Sequence, residues 1–446
     1  MKNLINECSA IHTEEVDCAV EKIGKTRYII AILMLVAVAI NYLDRTIISA
    51  AAPTIMQELE IGPTEMGFVM SAFFFAYMPC QIPAGLLGDK FGQRICLTVG
   101  IIWWSIMTMA TAGVRSIGAL FGVRFLMGGG EATVYPCNTG VAAKWFPDNE
   151  RGRVTALFDS GSKFGTAFAM PFVAWMIGLY GWRFPFIVCG VLGILFAGIW
   201  FFYYRDPEKH KFIKARELEY IRQGQQKKEG IDKFQPMKWY QLLKYRNVLA
   251  MCSALFLYNY VMFFFVTWFP TYLVKVRGMD LMTMGWFAML PPLCGIVAQW
   301  SGGIFTDWIY KKTGKLTFSR KINLVSGLLL ASVILGVNFV ESNTATIVLF
   351  CLAYAGMSFA ASVHWCLPSD IAPRNMTSAL GGIQNTFSGV SGILGPVITG
   401  YFVAVSGSFT IPFFIAGAAC FAAAFIYAFV LKDIKPITVN QQGSLL

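Results

Sequence analysis

Apolar segments of membrane-spanning length recur along this 446-residue chain, and no other feature constrains its fold as strongly. A helix needs about 20 predominantly apolar residues to cross a bilayer. Residues of the set AVILMFWYC make up 56% of the chain and Asp, Glu, Lys and Arg only 14%, against about 25% charged residues in soluble domains. A water-exposed globule and a soluble enzyme with one anchor are therefore excluded. The pattern predicts twelve spanning helices, which start near Tyr28, Thr64, Ile95, Ser116, Val154, Arg183, Asn247, Leu281, Ile322, Thr346, Thr377 and Ser408.

The twelve predicted spans divide into two groups of six. Residues 204–246 separate the groups and hold 18 charged side chains among 43 residues. This segment is too polar to span a membrane and too short for an independent enzyme domain, so it is predicted to be a cytoplasmic linker. The predicted fold is all-α, with six-helix bundles at 28–203 and 247–431 around a central cavity, and cytoplasmic tails at 1–27 and 432–446.

Lys and Arg indicate the orientation, because they concentrate in the short cytoplasmic loops of membrane proteins. With the N-terminus placed inside, 29 basic residues fall on the cytoplasmic side and four on the outer side, Arg115, Arg183, Lys275 and Arg277. The first 27 residues lack the basic, apolar and small-residue order of a signal peptide. A multi-pass protein of the inner membrane with both termini in the cytoplasm is expected. The net charge of +11 is then an orientation signal and does not indicate nucleic-acid binding.

The number and spacing of the cysteines and histidines exclude further kinds of functional site. The 11 cysteines contain no CxxC pair, and the three histidines are His12, His210 and His364. Neither a disulfide scaffold nor a histidine-built metal site follows from them, and no cofactor is expected. An enzyme would need a nucleophile with its base, a metal cluster or a phosphate loop, and none is recognisable. A membrane sensor would normally carry a signalling domain, for which no segment is large enough.

A glycine-rich, charged loop follows the second span: "GLLGDKFGQR", from Gly85 to Arg94. A partial repeat, "GGIFTDWIYKK", follows the eighth span, and internal repeats that meet at a midplane site are common in secondary transporters. The pattern G-x-x-x-D-K-x-G-x-R resembles the signature loop of the major facilitator superfamily, and the resemblance extends over about residues 28–431. It implies that the loop gates the cytoplasmic side and holds the two halves together in the outward-facing state. The gating residues would be Gly85, Asp89, Lys90, Gly92 and Arg94.

Six ionisable residues lie inside predicted spans, where charges are costly and indicate function. Asp44 and Arg45 are adjacent in the first span and cannot face one another on a helix. Arg124 and Glu131 are two turns apart, on one face of the fourth span and about 10 Å from each other. A buried structural network and a site for an anion with protons are both possible, and they do not exclude one another. The fifth span holds the remaining two, Asp159 and Lys163.

Several separated stretches narrow the resemblance further. "NYLDR" (41–45), "RFLMGGGEATVYP" (124–136), "WFPDNERG" (145–152) and "GGIQNTFSGVSGILGPVITG" (381–400) are similar to the anion:cation symporter family, above all its bacterial permeases for aldonates, uronates and aldarates. The resemblance implies proton-coupled uptake of a sugar acid by alternating access. It assigns proton coupling to Asp44 and Glu131, substrate binding to Arg45 and Arg124 with Arg124 as the partner of Glu131, and sugar-hydroxyl contacts to Tyr42, Tyr77 and Asn385.

The roles of charged and aromatic residues in two further spans stay open. Asp159 and Lys163 have the i, i+4 spacing and the acid-before-base order of a helical ion pair, and related permeases carry small or amide side chains there. They form either a self-neutralising pair or, with Lys163 about 13 Å from Val154 along the helix, a second cationic contact for the anion. In the tenth span Trp365 is a substrate-binding candidate by resemblance, whereas His364 is expected to be buried and neutral.

The predicted function is therefore proton-coupled import of a sugar acid, with an organic anion, protons and the lipid bilayer as partners and a monomer as the working unit. The alternative is an antiporter or a passive facilitator for another small molecule. The fifth span lacks the Gly-Pro-x-x-Gly-Gly run that is common in antiporters of the superfamily. An arginine-lined cavity suits anions, and a passive facilitator would not need two acids in the membrane.

Overall fold

A computed structural model describes residues 24–224, 239–373 and 376–437. All regular elements within these ranges are helical. Most of the predicted N-terminal tail, part of the linker and the end of the C-terminal tail lie outside the described residues. The predicted tail 1–27 ends where the first helix begins, at Thr26.

The N-terminal half contains seven helices that make six spans. They are α1 Thr26–Glu58, α2 Pro63–Phe91, α3 Gln93–Thr111, α4 Ile117–Glu131, α5 Val134–Trp145, α6 Asp148–Tyr180 and α7 Arg183–Tyr203.

The linker contributes α8, Ala215–Gln223, and the C-terminal half then follows the same scheme. Its helices are α9 Arg246–Thr267, α10 Phe269–Lys275, α11 Leu281–Thr313, α12 Leu316–Ala331 with a 3₁₀ extension Ser332–Phe339, α13 Asn343–His364, α14 Leu367–Ile371, α15 Thr377–Ser406, and α16 Thr410–Phe425 with a π-helical turn Ile426–Val430.

Ten helices among the described residues are long and apolar enough to cross a membrane. The other two predicted spans are the fourth and the fifth, each of which carries two intramembrane charges. The fourth span is divided into α4 and α5 at Ala132 and Thr133, so neither piece has spanning length alone. The fifth span, α6, is 33 residues long but contains Asp159 and Lys163 among further polar residues. The all-α, multi-pass architecture predicted from the sequence is confirmed.

The two halves meet at one end of the bundle, which we call the far face because it lies opposite the linker. Gly67 of α2 packs against the backbone of α15, where a Cβ would come within 2.6 Å of the Pro396 carbonyl oxygen. Trp268 Nε1 donates a hydrogen bond to the same oxygen at 3.0 Å. Ser71 Oγ of α2 donates to the carbonyl oxygen of Ile393 at 2.7 Å. Small residues at helix interfaces permit this close backbone approach in membranes.

At the opposite end, which we call the linker face, the motif residues contact their own half alone. Asp89 and Lys90 are exposed. Arg94 Nε donates to the carbonyl oxygen of Phe201 at 2.8 Å, and its guanidinium lies 4.0 Å from the Phe201 ring centroid. Within the described ranges, no hydrogen bond or ion pair joins residues 85–94 to the C-terminal half. The close backbone contacts between the halves therefore lie toward the far face, and we call the space between the halves toward the linker face the gap.

Candidate functional site

An ion pair between the first and fourth spans is buried at the centre of the N-terminal half. Arg45 Nε donates to Glu131 Oε2 at 2.7 Å, and the two side chains are 8% and 0% exposed. Glu131 is the last residue of α4 and follows three glycines. Gly128 lies directly against the backbone of Phe73 in α2. The glycine run therefore brings α4 close enough to its neighbours for the Glu131 carboxylate to reach Arg45.

Aromatic rings surround the Arg45 guanidinium. Its central carbon lies 4.8 Å from the ring centroid of Tyr42 and 4.5 Å from those of Phe73 and Tyr77. Such distances give cation–π attraction, which strengthens where water is excluded. Arg45 Nη2 is buried without a hydrogen-bond partner among the described residues. The rings fix the guanidinium, whose Nη2 is left without a hydrogen-bond partner in the described structure, and Tyr42 and Tyr77 are only partly buried.

Arg124 is not the direct partner of Glu131, which corrects the expected pairing. Its Nη1 lies 3.1 Å from the Met127 sulfur, and its guanidinium lies 5.4 Å from the Phe73 ring centroid. The two-turn separation places Arg124 and Glu131 on one face but about 10 Å apart along the axis. Arg45, which approaches from α1, reaches the carboxylate first. Arg124 still acts on Glu131 electrostatically from this distance.

Asp44 is held differently from Glu131. Trp104 Nε1 of α3 donates to Asp44 Oδ2 at 3.0 Å, while Asp44 Oδ1 is buried without a hydrogen-bond partner in the described structure. As predicted, Asp44 does not pair with Arg45. The amide of Asn41 and Glu131 Oε1 are also buried and without partners there. Buried polar atoms that have no hydrogen-bond partner in the protein require water, a proton or a ligand.

The fifth span places Asp159 and Lys163 without an ion pair between them. Tyr135 Oη of α5 donates to Asp159 Oδ1 at 3.1 Å. Among the residues that the structure describes, the Lys163 ammonium makes no hydrogen bond or ion pair, and the side chain is half-buried. The self-neutralising pair allowed by the spacing does not form.

The C-terminal candidates separate into two environments. Asn385 is exposed on α15, one helical turn from Gly389, which packs on Met78 of α2. It therefore lies one turn toward the linker face from a contact between the halves. Trp365 is half-exposed at the break between α13 and α14. His364 is fully buried, with Nδ1 3.0 Å from the Tyr427 hydroxyl, and packs inside its own half.

Several residues that contact the candidate site were not identified from the sequence. Phe73, Trp104 and Tyr135 contact its charged groups. An aromatic residue in an apolar span carries no distinguishing pattern. Only Tyr135 had a signal, because it follows Glu131 by one helical turn.

Comparisons with known proteins agree with this architecture. Residues 34–377 match the profile of a family described as the Major Facilitator Superfamily. The probable galactarate/D-glucarate transporter GarP of Escherichia coli (strain K12) is 34% identical over 435 residues, which cover 93% of this chain and 97% of that protein. The D-galactonate transporter of Escherichia coli O6:H1 is 32% identical, over 93% of this chain and 98% of that protein. The crystal structure of a D-xylose-proton symporter superposes with a TM-score of 0.72 at 13% identity, over 91% of this chain and 98% of that one.

Proposed function

Because the chain belongs to the Major Facilitator Superfamily and is a membrane transporter, we propose that it imports a sugar acid together with protons by alternating access. The substrate class is an aldonate, hexuronate or aldarate. Relatives of about one-third identity over almost the whole chain are transporters named for such acids, which supports this class. The same relatives support a transporter rather than an enzyme.

The buried Arg45–Glu131 ion pair is the observation that carries the proposal. A guanidinium can bind a carboxylate through two parallel hydrogen bonds, and Arg45 has one edge of its fork without a partner in the described structure. A substrate carboxylate at Arg45 would compete with Glu131 for that cation. Glu131 would then be a buried acid without its counter-ion, a state that favours proton uptake. Binding of the anion and of the proton would thereby be coupled.

The remaining candidates extend this site. Asp44, which has one hydrogen bond from Trp104, is the second proposed proton carrier. Arg124 would add positive charge near the substrate. The proposed contacts for sugar hydroxyls are Tyr42, Tyr77, Asn385 and Trp365, which are partly or largely exposed around the gap between the halves.

We take the linker face as cytoplasmic, since 29 basic residues fall on that side of the chain by the sequence count and basic loops stay inside. The structure would then correspond to an inward-facing state. In the outward-facing state, Asp89, Lys90 and Arg94 would contact the C-terminal half and close the linker face. Gly85 and Gly92 would permit the helix packing and the turn that this closure needs. The protein would act as a monomer in the cytoplasmic membrane.

Uptake into proteoliposomes tests the proposal. Purified protein is reconstituted, and entry of radiolabelled galactarate and galactonate is followed with an alkaline interior, without a pH gradient, and with a protonophore. We expect accumulation above equilibrium only with the gradient. Equal uptake in all three conditions would identify a facilitator, and uptake that requires internal substrate would identify an antiporter. Transport of neutral sugars alone would reject the sugar-acid assignment.

A further inference from the structure

Lys163 is a cation in the middle of a span without a compensating charge. It lies about 13 Å along α6 from Val154, near the middle of a hydrocarbon core about 30 Å thick. Asp159, the acid at the right spacing, accepts its hydrogen bond from Tyr135 instead. A charged side chain at this depth is costly unless it reaches water, a counter-ion or a ligand. Lys163 therefore needs water, a counter-ion or a ligand, and no hydrogen bond or ion pair within the described part of the chain satisfies it.

The helix geometry directs Lys163 toward the gap between the halves. Met170 and Ala174 follow it by seven and eleven residues and lie within about 20° of it around the helix axis, at 100° per residue. Both pack against Gly285 of α11, in the other half. Leu179, which is exposed on the lipid side, lies about 160° away. The Lys163 side chain is half-exposed.

A row of tyrosines connects Lys163 with the Arg45 site. Asp159, one turn from Lys163 on the same face of α6, accepts a hydrogen bond from the Tyr135 hydroxyl at 3.1 Å. The Tyr42 ring lies 4.8 Å from the Arg45 guanidinium. Tyrosine side chains therefore lie beside both cations: Tyr135 next to the helical turn of Lys163, and Tyr42 next to Arg45.

We propose that Lys163 binds the second carboxylate of a dicarboxylic sugar acid while Arg45 binds the first, which makes the transporter selective for aldarates over aldonates. This inference rests on the function proposed above and names its substrate class. An aldarate carries a carboxylate at each end of a hydroxylated chain, which matches the order cation, tyrosines, cation. An aldonate carries a hydroxyl at one end and leaves Lys163 without its anion.

The test compares galactarate and galactonate binding to purified full-length protein by calorimetry. In Lys163→Gln, affinity for galactarate should fall about ten- to hundredfold, as expected for loss of a charge-assisted hydrogen bond. Affinity for galactonate should change by less than about threefold on the same reasoning. Lys163→Arg should keep the preference for galactarate. Lys275→Gln, which removes an exposed lysine distant from the gap, should leave both affinities unchanged.

Three outcomes would overturn the inference. They are unchanged galactarate affinity in Lys163→Gln, an equal loss for both acids, and wild-type protein that binds galactonate but not galactarate. The neutral variant Lys163→Met provides the same comparison if the Gln variant elutes as aggregate. Wild-type protein that binds neither acid, and no hexuronate either, would instead reject the proposed function itself, so the two failures are distinguishable.

Discussion

Glu131 and Asp44 differ in what each carboxylate contacts. Glu131 has an arginine at 2.7 Å, whereas Asp44 has the indole N–H of Trp104. Only Glu131 can lose its partner directly to a competing anion at Arg45. At the residue scale, proton coupling to substrate should therefore depend on Glu131 first.

Glu131→Gln tests this dependence. Glutamine keeps the shape and can still accept a hydrogen bond from Arg45, but it cannot carry a proton. We expect the variant to exchange labelled for unlabelled substrate across the membrane while it loses accumulation driven by a pH gradient. One coupled proton supports up to about tenfold accumulation per pH unit, and in the variant this ratio should approach one. Glu341→Gln, in an exposed loop, is the control. Unimpaired accumulation in Glu131→Gln would exclude Glu131 as the coupling acid.

The sequence identified the charged residues of the site but not all their partners. The family resemblance implied that Arg124 is the partner of Glu131, and the spacing of Asp159 and Lys163 along one helix allowed an ion pair as one of two alternatives. In the structure each carboxylate accepts a hydrogen bond from a residue of another helix: Arg45 donates to Glu131, and Tyr135 donates to Asp159. Distances between helices depend on how the helices pack, here on the glycines of α4. The sequence pattern of a single helix therefore does not predict these distances.

At the scale of elements, the linker helix α8 is more than a connection. Glu217 is fully buried and accepts hydrogen bonds from the backbone N–H groups of Thr26 and Arg27 at the start of α1, at 3.3 and 3.0 Å. Arg27 also bonds Glu150 near the start of α6, at 3.1 Å. Tyr220 of α8 donates to the same Glu150 at 2.9 Å. Helix α8 therefore caps the first and fifth spans, a role that its polar composition did not predict.

Removal of this cap should destabilise the N-terminal half. Glu217→Ala leaves buried N–H groups and one side of the Arg27 guanidinium without partners, and breaking a buried pair costs about 3–5 kcal/mol. Glu208→Ala is the matched control, because Glu208 pairs with Arg222 on the surface, where both side chains are more than half exposed. That pair should contribute under about 1 kcal/mol. Thermal unfolding in detergent should show a clear decrease in midpoint for the first variant only; equal midpoints would contradict the capping role.

At the scale of the whole molecule, the sequence predicted the architecture almost completely. Twelve apolar segments and the loop of Gly85 to Arg94 were sufficient for the fold class, because backbone hydrogen bonding in lipid permits little besides helices. The division of the fourth span at Ala132 was not predicted, since its apolar character is continuous. The conformational state was not predicted either, because the same sequence must adopt both the inward-facing and the outward-facing packing. That choice depends on contacts between the halves at the far face.

Gly67→Val should shift this balance. A Cβ at Gly67 would come within 2.6 Å of the Pro396 carbonyl oxygen, so the valine cannot fit while the far face is closed. We expect slower transport and an opened far face. In a cysteine-free background with Ser71→Cys, a membrane-impermeant maleimide applied to intact cells should label Cys at this buried position faster in the Gly67→Val protein. Gly122→Val is the control, because no atom lies within 4 Å of a Cβ there. Equal labelling of both variants would mean that closure of the far face does not depend on the contact between α2 and α15.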